Sequence, residues 1–249
     1  DSFHEETRVN TSHRALLSDY RASGYDRGHM APNADMPTKA SQFDSFSLAN
    51  MVPQAPKNNQ QVWRELEEAT RAIVTKQKLD VYLVTGPVFA SKKLKTIGKG
   101  VIVPTATYKA VYIPKTGAAG AYYAPNDNSL QVKVVSICYL EEQLSINLFP
   151  QLSEEQKRNT YQLPLKATAV KANKPIEYAS WDAESQCAED VENSKLQAMQ
   201  KQFSRSGGST TDTAQTKPNA GAVVDANTQD AIVTQLIESL LQYILQLLK

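Results

Sequence analysis

The chain has 249 residues, 41% of them hydrophobic and 21% charged, which are ordinary values for one globular domain with appendages. Its net charge of +1 does not by itself indicate a nucleic-acid partner, because phosphate binding depends on clustered Lys and Arg. Residues 1–110 contain 15 Lys and Arg against 11 Asp and Glu, a net charge of +4, and the remainder carries −3. The N-terminal half is therefore the basic side, although an excess of this size is most often a solvated surface.

The first predicted elements are extended segments followed by a helix. Residues 1–35 mix turn formers with short extended runs, which indicates strand and loop. From about Asn59 to Lys76 the chain contains no Pro or Gly. Apolar residues recur there at helical spacing, at Val62, Leu66, Ala69 and Ile73. This pattern predicts a helix.

The middle of the chain is predicted to form a sheet. Strand-like runs, separated by Gly, Pro and Asn breakers, occur at Val81–Thr85, Val101–Val103, Thr107–Ile113 and Gln131–Tyr139. Ser153–Asn159 indicates a short helix that Ser153 would cap. The expected fold class is α+β with a mainly antiparallel sheet.

The C-terminal part is predicted to be an appendage to a domain over residues 1–203. Residues 204–226 are rich in Ser, Gly, Thr, Asn and Ala, which is typical of a flexible linker. Residues 227–249 have the apolar spacing of an amphipathic helix. This helix could dock on its own domain, associate with a second copy or lie on a membrane. We favour self-association into a homo-oligomer, because the segment is too short and too interrupted for a membrane span.

The two cysteines, Cys138 and Cys187, lack the spacing of a zinc site. A disulfide and two isolated buried thiols are equally consistent with the sequence. The chain shows no signal peptide at its start, and a mature or trimmed product would look the same.

Six polar residues in the basic half carry the chemistry needed for phosphodiester hydrolysis. They lie within about forty-five residues and are Arg27, His29, Asn50, Asn59, Glu67 and Arg71. Hydrolysis needs a base for the attacking water and positive charge at the phosphate. An imidazole titrates near neutral pH, and guanidinium groups clamp phosphate oxygens.

The predicted helix presents an amide, a carboxylate and a guanidinium on one face. Asn59, Glu67 and Arg71 are separated by multiples of four residues, and Trp63 lies between the first two. An amide oxygen suits Mg²⁺, which takes few protein ligands and keeps several waters. Taken alone, this pattern is more often an ordinary surface helix, and a lone histidine such as His4 or His13 is more often structural.

The motifs together resemble the DNA/RNA non-specific endonuclease family, whose members include mitochondrial endonuclease G. The segment from Asp26 to Pro32 resembles its D-R-G-H-x-A signature. The segment from Leu48 to Gln54 resembles its S-N-x-x-P-Q segment, with Ala49 in the place of the Ser. The pattern Asn59-x-x-x-Trp63-x-x-Leu66-Glu67-x-x-x-Arg71 is similar to its metal helix. The resemblance covers roughly residues 13–150.

This resemblance implies a ββα-metal, or His-Me finger, active site. His29 would be the general base, and Asn59 would bind Mg²⁺, with Mn²⁺ as a substitute. Glu67 would hold water of the metal, and Arg27 and Arg71 would contact phosphate. Asn50 would help to orient the histidine. The products would carry 5′-phosphates.

Family members also carry an arginine in a strand that precedes the position of Phe3, and the chain starts after it. We expect that this segment was removed, was never present, or is replaced by Arg8 or Arg14. The leading hypothesis is an endonuclease acting on DNA and RNA. The alternatives are a nucleic-acid-binding or interaction protein without turnover, and a phosphodiesterase of small nucleotides.

A nuclease without sequence preference would damage its own cell. We therefore expect a secreted or periplasmic protein, or one confined in an organelle such as the mitochondrion, and a Cys138–Cys187 disulfide would agree with this. An inhibitor protein is a further expected class of partner, of unknown identity.

Overall fold

The structure is a computed structural model that describes residues 2–189. The predicted linker over 204–226 and helix over 227–249 lie outside the described residues. Among the described residues, 2–143 and 151–187 belong to one compact unit and 144–150 with 188–189 belong to another. The candidate site belongs to the first unit. Within 2–189, no helix combines the length and apolar character needed to cross a membrane.

The fold is α+β with antiparallel strand pairing, as predicted. The strands are β1 Asp26–His29, β2 Met51–Gln54, β3 Tyr82–Val88, β4 Thr96–Ile97, β5 Val101–Ile102, β6 Ala106–Ile113, β7 Ala118–Pro125, β8 Lys133–Val135, β9 Asn159–Tyr161 and β10 Tyr178–Trp181. The helices are α1 Lys39–Ser45, α2 Arg64–Gln77, α3 Ile137–Leu144 and α4 Glu154–Arg158. A π-helical turn, Asn58–Trp63, leads directly into α2. Short 3₁₀ helices span Leu17–Tyr20, Asn33–Asp35, Leu48–Asn50 and Ala167–Ala169.

The main sheet has the strand order β3-β6-β7-β8. Strands β6 and β7 pair along their whole length, from Ala106 opposite Pro125 to Ile113 opposite Ala118. Strand β7 was not predicted from the sequence, because its Ala and Gly residues have little intrinsic preference for strands. Burial explains why it forms, since Ala118 and Ala119 are both completely buried.

Helix α2 covers one face of this sheet. Its apolar residues at helical spacing are buried as predicted, with Leu66 1% exposed and Ile73 completely buried. They form a core cluster with β6 and β7 residues such as Val111 and Tyr122. This packing fixes α2, and with it the preceding turn, against the centre of the sheet.

The run Gln131–Tyr139, predicted as one strand, divides into a strand and a helix. Strand β8 ends at Val135, and α3 begins at Ile137. Ser136 explains the change, because its Oγ accepts a hydrogen bond from Tyr139 N at 2.8 Å, as a helix cap does. The apolar run is buried in a helix because α3 packs on the sheet, with Tyr139 edge-on to Tyr123 at 6.3 Å.

The cysteines form a disulfide between Cys138 and Cys187, across 49 residues of sequence. Closing a loop of this length removes denatured-state entropy worth about 4 kcal/mol in the chain-entropy model. Inside this loop lies α4, and Ser153 caps it as predicted by accepting a hydrogen bond from Gln156 N at 3.2 Å.

The β1–β2 pair lies beside the main sheet, with His29 opposite Met51. Asn126 joins the pair to the sheet. Its Nδ2 donates to Pro53 O and Pro104 O, both at 2.9 Å, and its Oδ1 accepts from Ala55 N at 2.8 Å. The two strands and the π-helical turn are therefore held in one fixed arrangement.

Candidate active site

The strand pair and the helix bring the predicted histidine and metal ligand to the same region. His29 ends β1, and Asn59 lies in the π-helical turn after β2. Trp63 joins the two elements, because its Nε1 donates to His29 O at 3.3 Å. The π-helical turn was not predicted, and such turns are frequently found at functional sites.

The His29 imidazole is held between aromatic rings. Its centroid lies 5.8 Å from that of Phe3 and 5.0 Å from that of Phe46, which is edge-on. Nε2 is buried and has no hydrogen-bond partner among the described residues. Burial lowers the pKa of His29 below its usual 6.5, so the ring is neutral at pH 7 and able to accept a proton.

Asn50 supports the backbone that follows His29. Its Oδ1 accepts from Ala31 N at 3.0 Å, and its Nδ2 donates to Ala31 O at 2.8 Å and to Ser45 O at 2.9 Å. Its backbone O accepts from Met30 N at 3.0 Å. These bonds fix the chain after the histidine and do not reach the imidazole itself.

The Asn59 amide is oriented by Asp26, which the sequence analysis quoted in a motif without giving it a role. Asn59 Nδ2 donates to Asp26 Oδ2 at 2.9 Å, and Gln60 Nε2 donates to the same oxygen at 2.8 Å. If the Asn59 amide were flipped, its Oδ1 would face Asp26 Oδ2, and both atoms are acceptors. The carboxylate therefore directs Asn59 Oδ1 away from itself, and no donor among residues 2–189 bonds that oxygen.

Asn59 lines a cavity of about 640 Å³. The other lining residues are Phe3, Leu17, Tyr20, Arg21, Tyr25, Asp26 and Arg27. The Arg27 guanidinium lies 4.2 Å from the centroid of the Phe3 ring. Arg27 and His29 point to the same face of β1, where Phe3 contacts both. His29, Asn50, Glu67 and Arg71 do not line this cavity.

Glu67 lies on the interior side of α2, where the buried Lys109 is the charged residue that affects it most. Burial raises the pKa of Glu67 to about 7, and the positive charge of Lys109 opposes this rise. Lys109 is 1% exposed, donates from Nζ to Thr85 Oγ1 at 3.0 Å, and lies 5.2 Å from the Trp63 ring. Lys109 falls in the predicted strand Thr107–Ile113, and no function was assigned to it from the sequence.

Arg71 is paired with an acid from the loop after β1. Its Nε donates to Asp35 Oδ1 at 2.6 Å, and both side chains are about 30% exposed. This contact fixes one edge of the guanidinium. The sequence spacing could not show it, because Asp35 and Arg71 are 36 positions apart.

The two arginines considered as replacements for an N-terminal arginine lie elsewhere. Arg8 forms an ion pair with Glu6 at 2.8 Å, and Arg14 lies 3.4 Å from Glu5. Arg14 lines a separate cavity, and neither arginine lines the cavity that contains Asn59.

The site contains no cluster of three His, Cys, Asp or Glu residues that could hold a metal ion, within the part of the chain that the structure describes. A hard cation with few protein ligands needs no such cluster. The donor set at Asn59 fits this kind of ion, since its amide oxygen accepts no hydrogen bond from the described residues and both Asn59 and Asp26 line an open cavity.

Two antiparallel strands carrying a histidine and a following helix carrying an asparagine define the ββα-metal class of nuclease-like domains. Residues 1–181 match the family model described as DNA/RNA non-specific endonuclease, and the chain belongs to this family.

Relatives of known name support this assignment. The chain is 37% identical over 138 residues to mitochondrial endonuclease G of Bos taurus, an alignment covering 50% of this chain and 46% of the relative. It is 40% identical over 131 residues to a nuclease of Nostoc sp., covering 47% and 46%. The chain therefore spans about half the length of these curated relatives.

A solved structure of the EndoG/EndoGI complex, described as showing the mechanism of EndoG inhibition, shares the fold. The TM-score is 0.54 at 27% sequence identity, and the match covers 63% of this chain and 71% of that one.

Proposed function

We propose that this protein is a Mg²⁺-dependent endonuclease that cleaves DNA and RNA without sequence preference and leaves 5′-phosphate ends. The hydrogen bond between Asn59 and Asp26 carries the proposal. It leaves Asn59 Oδ1 available to a hard cation, on a helix that Trp63 ties to the His29 strand. The family match and the nuclease relatives support hydrolysis of nucleic acids.

His29 would act as the general base on the attacking water. The neutral ring that burial favours is the form able to take a proton. Nδ1 would accept it, because Nε2 is buried. Phe3 and Phe46 restrict the tilt of the ring, and Asn50 fixes the backbone after it. The residue is therefore positioned before substrate arrives.

The cationic residues would bind the phosphate. A bound Mg²⁺ would supply positive charge for the leaving oxygen, and Mn²⁺ could replace it. Asn59 would hold the ion directly and Glu67 would hold it through water. Arg27 and Arg71 would contact phosphate oxygens, and the Nη groups of Arg71 would do so because Asp35 takes its Nε. Contacts of this kind carry no base sequence, which explains a broad substrate range.

Supercoiled plasmid and single-stranded RNA, each incubated with Mg²⁺ or with EDTA, test this function. We expect metal-dependent loss of both substrates. His29→Ala should lower the rate by about 10²- to 10⁴-fold, the usual contribution of a general base, while binding persists. Asn59→Ala should lose its response to Mg²⁺ together with the rate. His13→Ala, at an exposed histidine, is the matched control.

The products supply a second test. Fragments with 5′-phosphates accept a label from polynucleotide kinase only after phosphatase treatment. Direct labelling would contradict the proposed bond cleavage. Intact plasmid and RNA under all conditions, with retained binding, would instead favour a nucleic-acid-binding protein without turnover.

We further infer that the protein is kept apart from the nucleic acid of its own cell, by secretion or export to the periplasm, or within an organelle. The disulfide is typical of an oxidising compartment, and several relatives are named mitochondrial. An inhibitor protein is a proposed partner, as in the EndoG/EndoGI complex. Denaturing cell extracts without reductant, in the presence of an alkylating reagent, would test the location, because Cys138 is buried in the folded protein. Labelling of both thiols would contradict it.

A further inference from the structure

The cavity beside Asn59 has a cationic part and an apolar part. Arg21 and Arg27 line it as cations. Arg21 is exposed, and its backbone N–H donates to Ser18 O at 3.2 Å, whereas its guanidinium forms no hydrogen bond or ion pair with another described residue. Leu17 lines the cavity with 39% of its surface exposed, and Tyr25 lines it while half-buried.

The carboxylate of Asp26, which lines the cavity, already accepts two hydrogen bonds. Asp26 accepts hydrogen bonds from Asn59 and Gln60, so its carboxylate faces the helix. Lys95 adds a cation next to Tyr25, because its Nζ donates to Tyr25 OH at 3.1 Å and lies 5.0 Å from the centroid of the Tyr25 ring. An occupant of this cavity would therefore need an anionic group and a flat apolar group close together.

A nucleotide has these two groups, and its base is accessible only when it is unpaired. In a duplex, neighbouring base pairs cover both faces of each base, so an aromatic wall reaches only an unstacked one. The volume of about 640 Å³ lies in the range of small-molecule sites. The cavity is also continuous with Asn59, the proposed metal ligand.

We infer that this cavity binds the unpaired nucleotide next to the scissile phosphate, with its phosphate on Arg21 and its base against Tyr25, so that the enzyme prefers single-stranded polynucleotides. The inference rests on the proposed nuclease function and adds a substrate class to it. Arg21 and Tyr25 are then specificity-determining residues, distinct from those that perform hydrolysis.

Binding to a catalytically blocked protein tests the inference apart from turnover. In the His29→Ala background, fluorescence anisotropy would compare a 30-nucleotide single strand with the same strand in a duplex. Tyr25→Leu keeps apolar bulk but removes the ring, and should weaken single-strand binding by roughly 5- to 150-fold, the range for one stacked base. Duplex binding should change little. The matched control is Tyr82→Leu, at a tyrosine that is 60% exposed on β3.

Arg21→Ala tests the phosphate contact. Loss of one contact should reduce the slope of log affinity against log salt by about 0.7 for single strands. Arg64→Ala is the control, because Arg64 is exposed and lies 4.0 Å from Glu68 on the same helix. A change in folding alone would not alter the salt slope.

The outcomes separate the two proposals. Equal binding of single strand and duplex, or equal losses on both with Tyr25→Leu, would overturn the cavity inference while leaving nuclease activity standing. An unmutated protein that cleaves nothing but shows the single-strand preference would refute the proposed function and support the cavity as a nucleotide site.

Discussion

Asp26 provides the sharpest test of the proposed metal site, because it contacts the proposed ligand Asn59 without being a ligand itself. Asp26→Ala removes the acceptor for Asn59 Nδ2 at 2.9 Å and for Gln60 Nε2 at 2.8 Å. A hydrogen bond to a charged group contributes about 1.5–3 kcal/mol. If that energy fixes the amide orientation, its loss should weaken Mg²⁺ binding by roughly 10- to 100-fold, the usual effect of losing such a supporting contact.

Asp26→Asn should have a smaller effect. The new amide still accepts a hydrogen bond, but a neutral bond has about half the strength of a charge-assisted one. It can also pair with Asn59 in either orientation, so Oδ1 is no longer uniquely directed to the cavity. We therefore expect Mg²⁺ affinity between those of Asp26→Ala and the unmutated protein.

The assay is plasmid nicking as a function of Mg²⁺ concentration. The expected result is a higher half-saturating concentration for both variants, with the rate partly restored at high Mg²⁺. Asp80→Asn, at an exposed acid between α2 and β3, is the control. An unchanged half-saturating concentration for Asp26→Ala, in protein that melts normally, would refute the role given to this hydrogen bond.

Three further predictions concern His29 and Gly28. The lowered pKa of His29 keeps the ring in its base form to more acidic pH, so the acid limb of kcat/KM should be centred below pH 6.5. A limb centred near pH 7 would instead indicate the titration of Glu67, whose pKa is about 7. Because the folded state disfavours the protonated ring, the stability that His29 contributes is present above pH 6.5 and is lost as pH falls. Urea unfolding should therefore show a smaller loss of stability at acidic pH for His29→Ala than for the unmutated protein. Gly28→Ala would place a methyl group 2.7 Å from Cβ of the buried Gln54, which hydrogen-bonds Asn58 and cannot move freely. Overpacking of this kind costs about 1–3 kcal/mol, a fall in Tm of roughly 2–12 °C, and an unchanged Tm would contradict the fit.

The sequence predicted the parts of this site that depend on local pattern. The helix carrying Glu67 and Arg71 follows from apolar periodicity, and it is observed as α2. The resemblance of the motifs around His29 and Asn59 indicated the family that the family match confirms. The chemical roles of these residues remain predictions.

The features that were not predicted depend on contacts between distant segments. The pairing of Arg71 with Asp35 and of Asn59 with Asp26 each spans more than thirty residues. The burial of Lys109 on β6 depends on the groups around its ammonium, which are the Thr85 hydroxyl, the Trp63 ring and the Glu67 carboxyl. No local spacing carries that information.

The π-helical turn at Asn58–Trp63 makes the site sensitive to chain length as well as to side-chain identity. A π-helical turn holds one more residue than an α-helical turn between the same bonded groups. Deleting one residue here would restore the α-helical register and rotate the preceding residue by about 100° relative to α2. Asn59 would then leave Asp26 although every functional side chain remained. A one-residue gap at this point in a related sequence is therefore a stronger sign of altered metal binding than many substitutions elsewhere.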